Sequence, residues 1–432
     1  MVSLLEHDSD KDIVIYINDC SPQFVPALRK LSQKLDRPLR CILLVDAERK
    51  ASGNYLSDKE NFFEEIVVDF FDDGALRKVI KSLEDRLLIV GCDSEASQLY
   101  FKRVIPHVPY VRTPTEGSLV FSTDKGKMRE LFLSYDEKSS PKAIVVGDAT
   151  DESVRKICEK LEFPVMIKPT SLIASLLVNK ANDKEELRQI LESNFIILNE
   201  MYLRRRSLSD KKMIVEEFVE GDLFSTDIYV DDVGKVYVLP FVHFQNGATV
   251  GMNSYQVYQS ETFHTLSAEE EQAGGSVAKT AVHALGLRST VAHVELFHTT
   301  SGWKIIELGA RSGGRRQDMY NISYGIDHAF NDLLNKIGIE PEMPSPVVKV
   351  HSTTFKVHTP AAGILESIEG VDEARMHPNM HSIRSNLKPG EKALPSTLGG
   401  VELVDGLMYN SDHEQLDRDI AAIRDSITVH IQ

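Results

Sequence analysis

The stretch VAHVELFHTTSGWKIIELGARSGGRR, residues 291–316, decides how this chain is read. Val291–Phe297 and Lys304–Leu308 have the alternating, β-rich character of two strands joined by a Ser-Gly turn. Side chains two apart in a strand share a face, so His293 points with Glu295, and Glu307 with Gly309 and Arg311. If the strands pair antiparallel across the turn, one face presents Glu295 beside Glu307, with Arg311, Gly313 and Gly314 just past the strand end. Two adjacent carboxylates repel each other unless a cation sits between them. Mg2+ bound to a nucleotide is the usual cation for one or two carboxylates plus phosphate oxygens. A solvated hairpin edge would alternate in the same way, so the rest of the chain has to arbitrate.

The chain has 432 residues, 42% of them hydrophobic, enough for two or three domains with a full core. Lys and Arg number 49 against 65 Asp and Glu, a formal charge of -16. Such a surface repels phosphate backbones and anionic lipid, which argues against nucleic acid and membrane partners. The four cysteines form no C-x-x-C pair and read as reduced packing residues of a cytoplasmic protein. The acidic N-terminus lacks an apolar signal core, and no run of about 18 apolar residues suggests a membrane span.

From Lys11 onward, short apolar runs alternate with helical periods: Ile13–Ile17, a helix over about 22–35, Cys41–Val45, Glu65–Phe70, a helix near 74–83, and Leu87–Gly91. This is the pattern of a parallel sheet covered by helices. Its first strand lacks a G-x-G-x-x-G turn, so it is not read as a dinucleotide site. Prolines near Thr115 close this first domain, residues 1–115. A second domain is expected over 116–340, with a smaller subdomain at about 150–222. It holds a strand in Phe163–Thr170 with a hairpin partner in Ser175–Lys180, strand-like ends within Met213–Val230, and capping-box spacings at Asp183/Glu186 and Ser267/Glu270. The proline-rich segment 338–348 leads into a third piece, 347–432, of mixed α+β character.

Two lysines and an acidic strand end join the paired carboxylates. Lys168 stands where an apolar strand leaves the core, just before Pro169, and Lys125 follows an expected helix cap near Lys127 and Arg129. Each suits a phosphate contact, although either alone would pass for a surface lysine. In Glu216–Asp222 the backbone of Glu217 and Val219 can meet an adenine edge, while an acidic side chain accepts from its amino group or from ribose; an edge strand ending at Gly221 is the alternative. The basic run Arg204–Arg206 with Lys211 and Lys212 reads as a solvated loop, and His243, His264, His283, His298 and His351 show no metal-like spacing. No G-x-S-x-G elbow or Cys/His pair suggests a hydrolase.

Taken in order, Asp124-Lys125, FPVMIKP (163–169), EEFVEG (216–221), HVEL (293–296) and ELGARSGG (307–314) resemble the ATP-grasp superfamily, and most closely its L-amino acid ligases. The resemblance covers about residues 11–430 and is strongest over 124–325. It implies an α/β fold: a parallel N-terminal domain, a two-part nucleotide clamp, and a small C-terminal α+β domain. It also implies an ATP- and Mg2+-dependent carboxylate-amine ligase joining amino acids through an acyl phosphate. On this resemblance Lys125 and Lys168 contact the nucleotide phosphates, Glu216, Glu217 and Val219 form the adenine hinge, and Asp222 touches ribose. Glu295 and Glu307 are the metal ligands, Arg311 steadies the transferred phosphoryl group, and Arg316 or Arg315 serves a substrate carboxylate. His293 faces the same cleft. The partners implied are small molecules, a carboxylate and an amine, with a homodimer left open. A carboxylase or purine-type ligase, or a non-catalytic nucleotide binder, are the competing readings. The chain departs from the family pattern at Gly309, where many members carry a metal-binding asparagine, and at Thr170–Ser175, where a glycine-rich loop is usual.

Overall fold

A computed structural model describes residues 10–51, 64–172, 175–203, 211–252, 254–344, 347–359, 361–395, 398 and 400–432. The expected basic run Arg204–Arg206 and Ile173 lie outside these residues.

The first sheet is parallel, with strands β1 (Ile13–Ile17), β2 (Arg40–Asp46), β3 (Glu64–Val68) and β4 (Leu87–Gly91) in the order β3-β2-β1-β4. β1 and β4 are buried along their whole length, which is why they read as unbroken apolar runs rather than as alternating ones. The helix Phe24–Lys34 covers one face with Phe24, Leu28 and Leu31, packing also against Phe330 and Leu333 of a later helix, His328–Lys336.

A second, antiparallel sheet contains β5 (Ala143–Val146), β6 (Val165–Pro169), β7 (Asn179–Ala181) and β8 (Met213–Glu217) in the order β5-β8-β6-β7. The hairpin partner of β6 is shorter than the expected Ser175–Lys180, because Ser175 and Leu177 take left-handed backbone at φ 54° and 56°, which interrupts an extended strand. The helix after it, Lys184–Leu203, is capped by Asp183 Oδ1, which accepts from the N–H of Glu185 and Glu186. Glu186 reaches back to Asn182 N, one residue short of a complete capping box, whereas Ser267 and Glu270 form the full reciprocal pair.

The large sheet has nine strands. β9 (Asp222–Val230), β10 (Val236–Val238), β11 (Val242–Asn246), β12 (Val257–Glu261), β13 (Thr290–Thr299) and β14 (Gly302–Gly309) precede segment 338–348, and β15 (His351–Val357), β17 (Met380–Ser385) and β19 (Val404–Asn410) follow it. β12 pairs with β15 in antiparallel register, so the strands on the two sides of the proline-rich segment belong to one sheet. The remaining strands, β16 (Gly363–Glu369), β18 (Lys392–Ala393) and β20 (Thr428–Ile431), make a small sheet of their own. Among the described residues no helix is long and apolar enough to cross a membrane, and the four cysteines are free.

Candidate functional site

β13 and β14 pair antiparallel with Glu295 opposite Glu307 and His293 opposite Gly309. The hairpin expectation holds, with both strands a few residues longer than expected. On the other side of β13, Ser225 and Asp227 of β9 lie opposite Glu295 and His293. One sheet face therefore carries two rows, Glu307-Glu295-Ser225 and Gly309-His293-Asp227.

Each of the two glutamates has its own nitrogen partner. Lys125 Nζ is 2.9 Å from Glu307 Oε1 and also donates to Leu172 O at 2.7 Å. His293 Nε2 stands 3.4 Å from Glu295 Oε1, while its Nδ1 is 2.7 Å from Asp227 Oδ1. Burial opposes the charge on Glu295, yet His293 and Arg311 outweigh it and hold the carboxyl below its ordinary range. Burial likewise disfavours imidazolium at His293, but Asp227 and Glu295 raise its pKa.

Asp227 is fully buried and also accepts from His328 Nε2 at 2.8 Å and from Gly313 N at 2.9 Å. That last bond draws the 311–316 loop onto the sheet. A Cβ at position 313 would come within 2.5 Å of the His293 ring, so Gly313 is required by close approach, whereas a Cβ at Gly314 would meet nothing.

The opposing wall comes from the antiparallel sheet and from the helix Lys125–Tyr135. Asp124 caps this helix through Gly126 N and Lys127 N, which fixes Lys125 at its first turn. Arg129, one turn on and on the same helix face, is buried. Its Nε and Nη2 donate to Glu216 Oε1 at 3.0 and 2.9 Å, its Nη1 to Ser140 Oγ and Ile305 O, and its Nη2 also to Ile306 O. All five guanidinium donors are thus used. Glu216 Oε2 accepts from Lys168 Nζ at 2.7 Å. Burial opposes ionisation of Glu216, but Arg129 and Lys168 bring its pKa down to about 2.

Glu216 is consequently not a free acceptor; both its oxygens are held by cations, and it fixes Lys168 in place. Glu217 N is likewise committed, donating to Lys142 O at 2.9 Å. Sequence reading named Arg129 only as a neighbour of Lys125; its i+4 position was the available signal.

Lys125, Lys168, Glu216, Glu217, Val219, Glu295 and Glu307 line one cavity of about 490 Å³, together with Met166, Leu172, Phe218, Phe297 and Ile306. Asn246, Ala248, Thr249 and Tyr255 line it as well. Asp222 does not: it is exposed at the start of β9, opposite His298. Arg311 opens instead onto a second cavity of about 360 Å³, shared with Asp93, Glu95, Arg315, Asp318 and Arg384.

Arg311 Nε donates to Glu95 Oε2 at 2.8 Å, a partner from the N-terminal sheet region that the sequence did not suggest. Arg316 is 1% exposed, donating to Ser225 Oγ at 3.0 Å and lying 4.8 Å over the Phe244 ring; it supports the sheet and lines neither cavity. Arg315 takes left-handed backbone at φ 61° and bonds Asp405 and Ser382 of the C-terminal region. His293 also lines neither cavity and stands behind Glu295.

Residues 161–318 match the ATP-grasp domain family. The D-alanine--D-alanine ligase of Streptococcus gordonii is 24% identical over 206 residues, 45% of this chain and 53% of that protein, so the chain spans about half the length of such curated relatives. The L-amino acid ligase from Bacillus licheniformis superposes with a TM-score of 0.78 at 18% identity, covering 98% of this chain and 99% of that one. Phosphoribosylglycinamide synthetase from Anaerococcus prevotii superposes at 0.66 with 17% identity, covering 98% and 100%. Residues 161–318 thus resemble the ATP-grasp domain, and the chain as a whole shares its fold with these solved structures.

Proposed function

We propose that the chain is an ATP-dependent carboxylate-amine ligase that joins amino acids through an acyl phosphate and releases ADP and phosphate. The observation that carries this reading is the division of charge between two cavities. Lys125, Lys168 and the facing pair Glu295/Glu307 line the first, whereas Arg311, Arg315 and Arg384 line the second with Asp93, Glu95 and Asp318. The first set suits a triphosphate and the second a zwitterion with carboxylate and ammonium ends.

The donor chemistry fits Mg2+, since Glu295 and Glu307 oppose each other directly and a hard cation takes oxygen ligands. When bound, the ion neutralises phosphate charge. Lys125 and Lys168 would hold phosphate oxygens, Lys168 kept in place by Glu216 and Lys125 by the helix cap. Arg311, whose field reaches Glu295 and Glu307, would steady the phosphoryl group as it passes to the substrate carboxylate. An amine then displaces phosphate, leaving an amide. His293 acts through Glu295, orienting that carboxylate from behind.

ADP release measured against pairs of amino acids, with mass measurement of the products, tests the reading. ADP and phosphate formed only when a carboxylate and an amine are both present are expected. AMP and pyrophosphate would reject the acyl-phosphate route. Dependence on bicarbonate or on an aminoribosyl phosphate would transfer the chain to a carboxylase or purine-type ligase, and ATP binding without turnover to a non-catalytic nucleotide binder.

A further inference from the structure

The sheet face opposite the Glu295/Glu307 pair carries a separate group of ligating side chains. Glu295 and Ser225 oppose each other on one face, and the adjacent row runs through Phe224, His243, Glu261 and Thr353 on β9, β11, β12 and β15. Neighbouring residues of a strand point to opposite faces, so Glu261 points away from the nucleotide cavity. Over it lies the helix His413–Ser426, whose His413 and Asp417, four residues apart, share one side of the helix.

His413 Nε2 is 3.5 Å from Glu261 Oε2 and 3.4 Å from Asp417 Oδ2. It makes no hydrogen bond, and neither does Asp417 Oδ1 nor the hydroxyl of Thr353, a fully buried residue beside Glu261 in the same row. The three ligand atoms of Glu261, His413 and Asp417 all lie within 4.8 Å of one another. Separations of this size are long for an N–H···O bond. The two distances from His413 Nε2 match the edges, about 3.3 to 3.6 Å, of a tetrahedron whose metal–ligand bonds are about 2.0 to 2.2 Å. The supporting contacts are those a metal centre uses: His243 Nδ1 bonds the other glutamate oxygen, Glu261 Oε1, at 2.8 Å, and Phe263 stacks on the His413 ring at 3.6 Å.

We propose that Glu261, His413 and Asp417 bind a divalent transition cation of the zinc class, with a fourth position left to water on the side where Asp417 is 45% exposed. The site joins the central sheet to the C-terminal helix, so binding stabilises the folded chain by linkage. It does not depend on the ligase reading. It escaped the sequence because the local His413/Asp417 pair, four residues apart on one helix, finds its third ligand on a strand 152 positions away at Glu261. The rival arrangement is a protonated His413 paired with two carboxylates and no metal.

The experiment uses the full chain stripped by chelator and titrated with Co2+ in excess Mg2+, which keeps a hard-cation site at Glu295 and Glu307 filled. One equivalent of Co2+ should bind with the visible absorption of four-coordinate cobalt, be displaced by Zn2+, and raise the melting temperature. His413→Gln and Asp417→Asn should each weaken Co2+ by more than about 100-fold, beyond the loss usual for a supporting residue, with unchanged circular dichroism and ATP affinity. Absence of saturable Co2+ binding over the Mg2+ background would overturn the proposal, as would full affinity in either variant.

Discussion

Arg311 Nε donates to Glu95 Oε2 at 2.8 Å, and a Cβ added at Gly309 would lie 2.8 Å from that same oxygen. Gly309, where the resemblance leads to the expectation of an asparagine, therefore leaves room for Glu95. Gly309→Asn should displace Glu95 and lower stability by about 1 to 3 kcal/mol. Urea denaturation of Glu95→Ala, Gly309→Asn and the double variant reads the coupling. A double variant less damaged than the sum of the two, by more than about 0.5 kcal/mol, is expected. Strictly additive losses would show that the two positions do not compete for space.

Lys168→Ala should leave the fold intact, because Glu216 keeps its paired bonds to Arg129. ATP affinity should fall by about 1.5 to 3 kcal/mol, the usual worth of a charge-assisted contact. Calorimetric titration showing unchanged affinity in a folded variant would remove Lys168 from the nucleotide site.

Arg129→Met removes the group that joins Glu216 of β8 to the carbonyls of Ile305 and Ile306 on β14. A broken buried pair of this kind costs about 3 to 5 kcal/mol, partly mitigated here by Lys168. Arg129→Lys should rescue little, since one ammonium cannot reproduce five planar donors. A loss below about 1 kcal/mol in urea denaturation would mean that the network contributes little.

Glu216 gives stability a definite acid dependence. Its pKa in the folded chain is about 2 against an ordinary 4.5, so its contribution is complete above 4.5 and is lost as pH falls through about 2. The amount is on the order of 3 kcal/mol. Comparing the chain with Glu216→Gln between pH 7 and pH 3 isolates it: the difference in unfolding free energy should shrink toward acid. A difference independent of pH would rule out an ionised Glu216.

Much of the candidate site was legible because its pieces are local. The alternation in 291–308 and the turn at Ser301-Gly302 place Glu295 opposite Glu307, and the cap at Asp124 places Lys125. Asp222 and Arg316, read into the site on the same local grounds, line neither cavity. Sequence locates them beside the right strands, but whether a side chain enters a cavity or is buried against Ser225 depends on what packs over it.

The sequence by itself determined the alternation of strands and helices, the parallel N-terminal sheet and the carboxylate hairpin, since side-chain direction, turns and caps are set within a few residues. Only the tertiary structure decided which charges meet. Glu95 and Arg311 are 216 positions apart and Arg129 and Glu216 are 87 apart, and Asp227 gathers His293, His328 and Gly313 from three separate segments. Such pairings follow from how whole sheets and helices pack, because a buried charge has to find its partner wherever the fold brings one, and no local pattern records that.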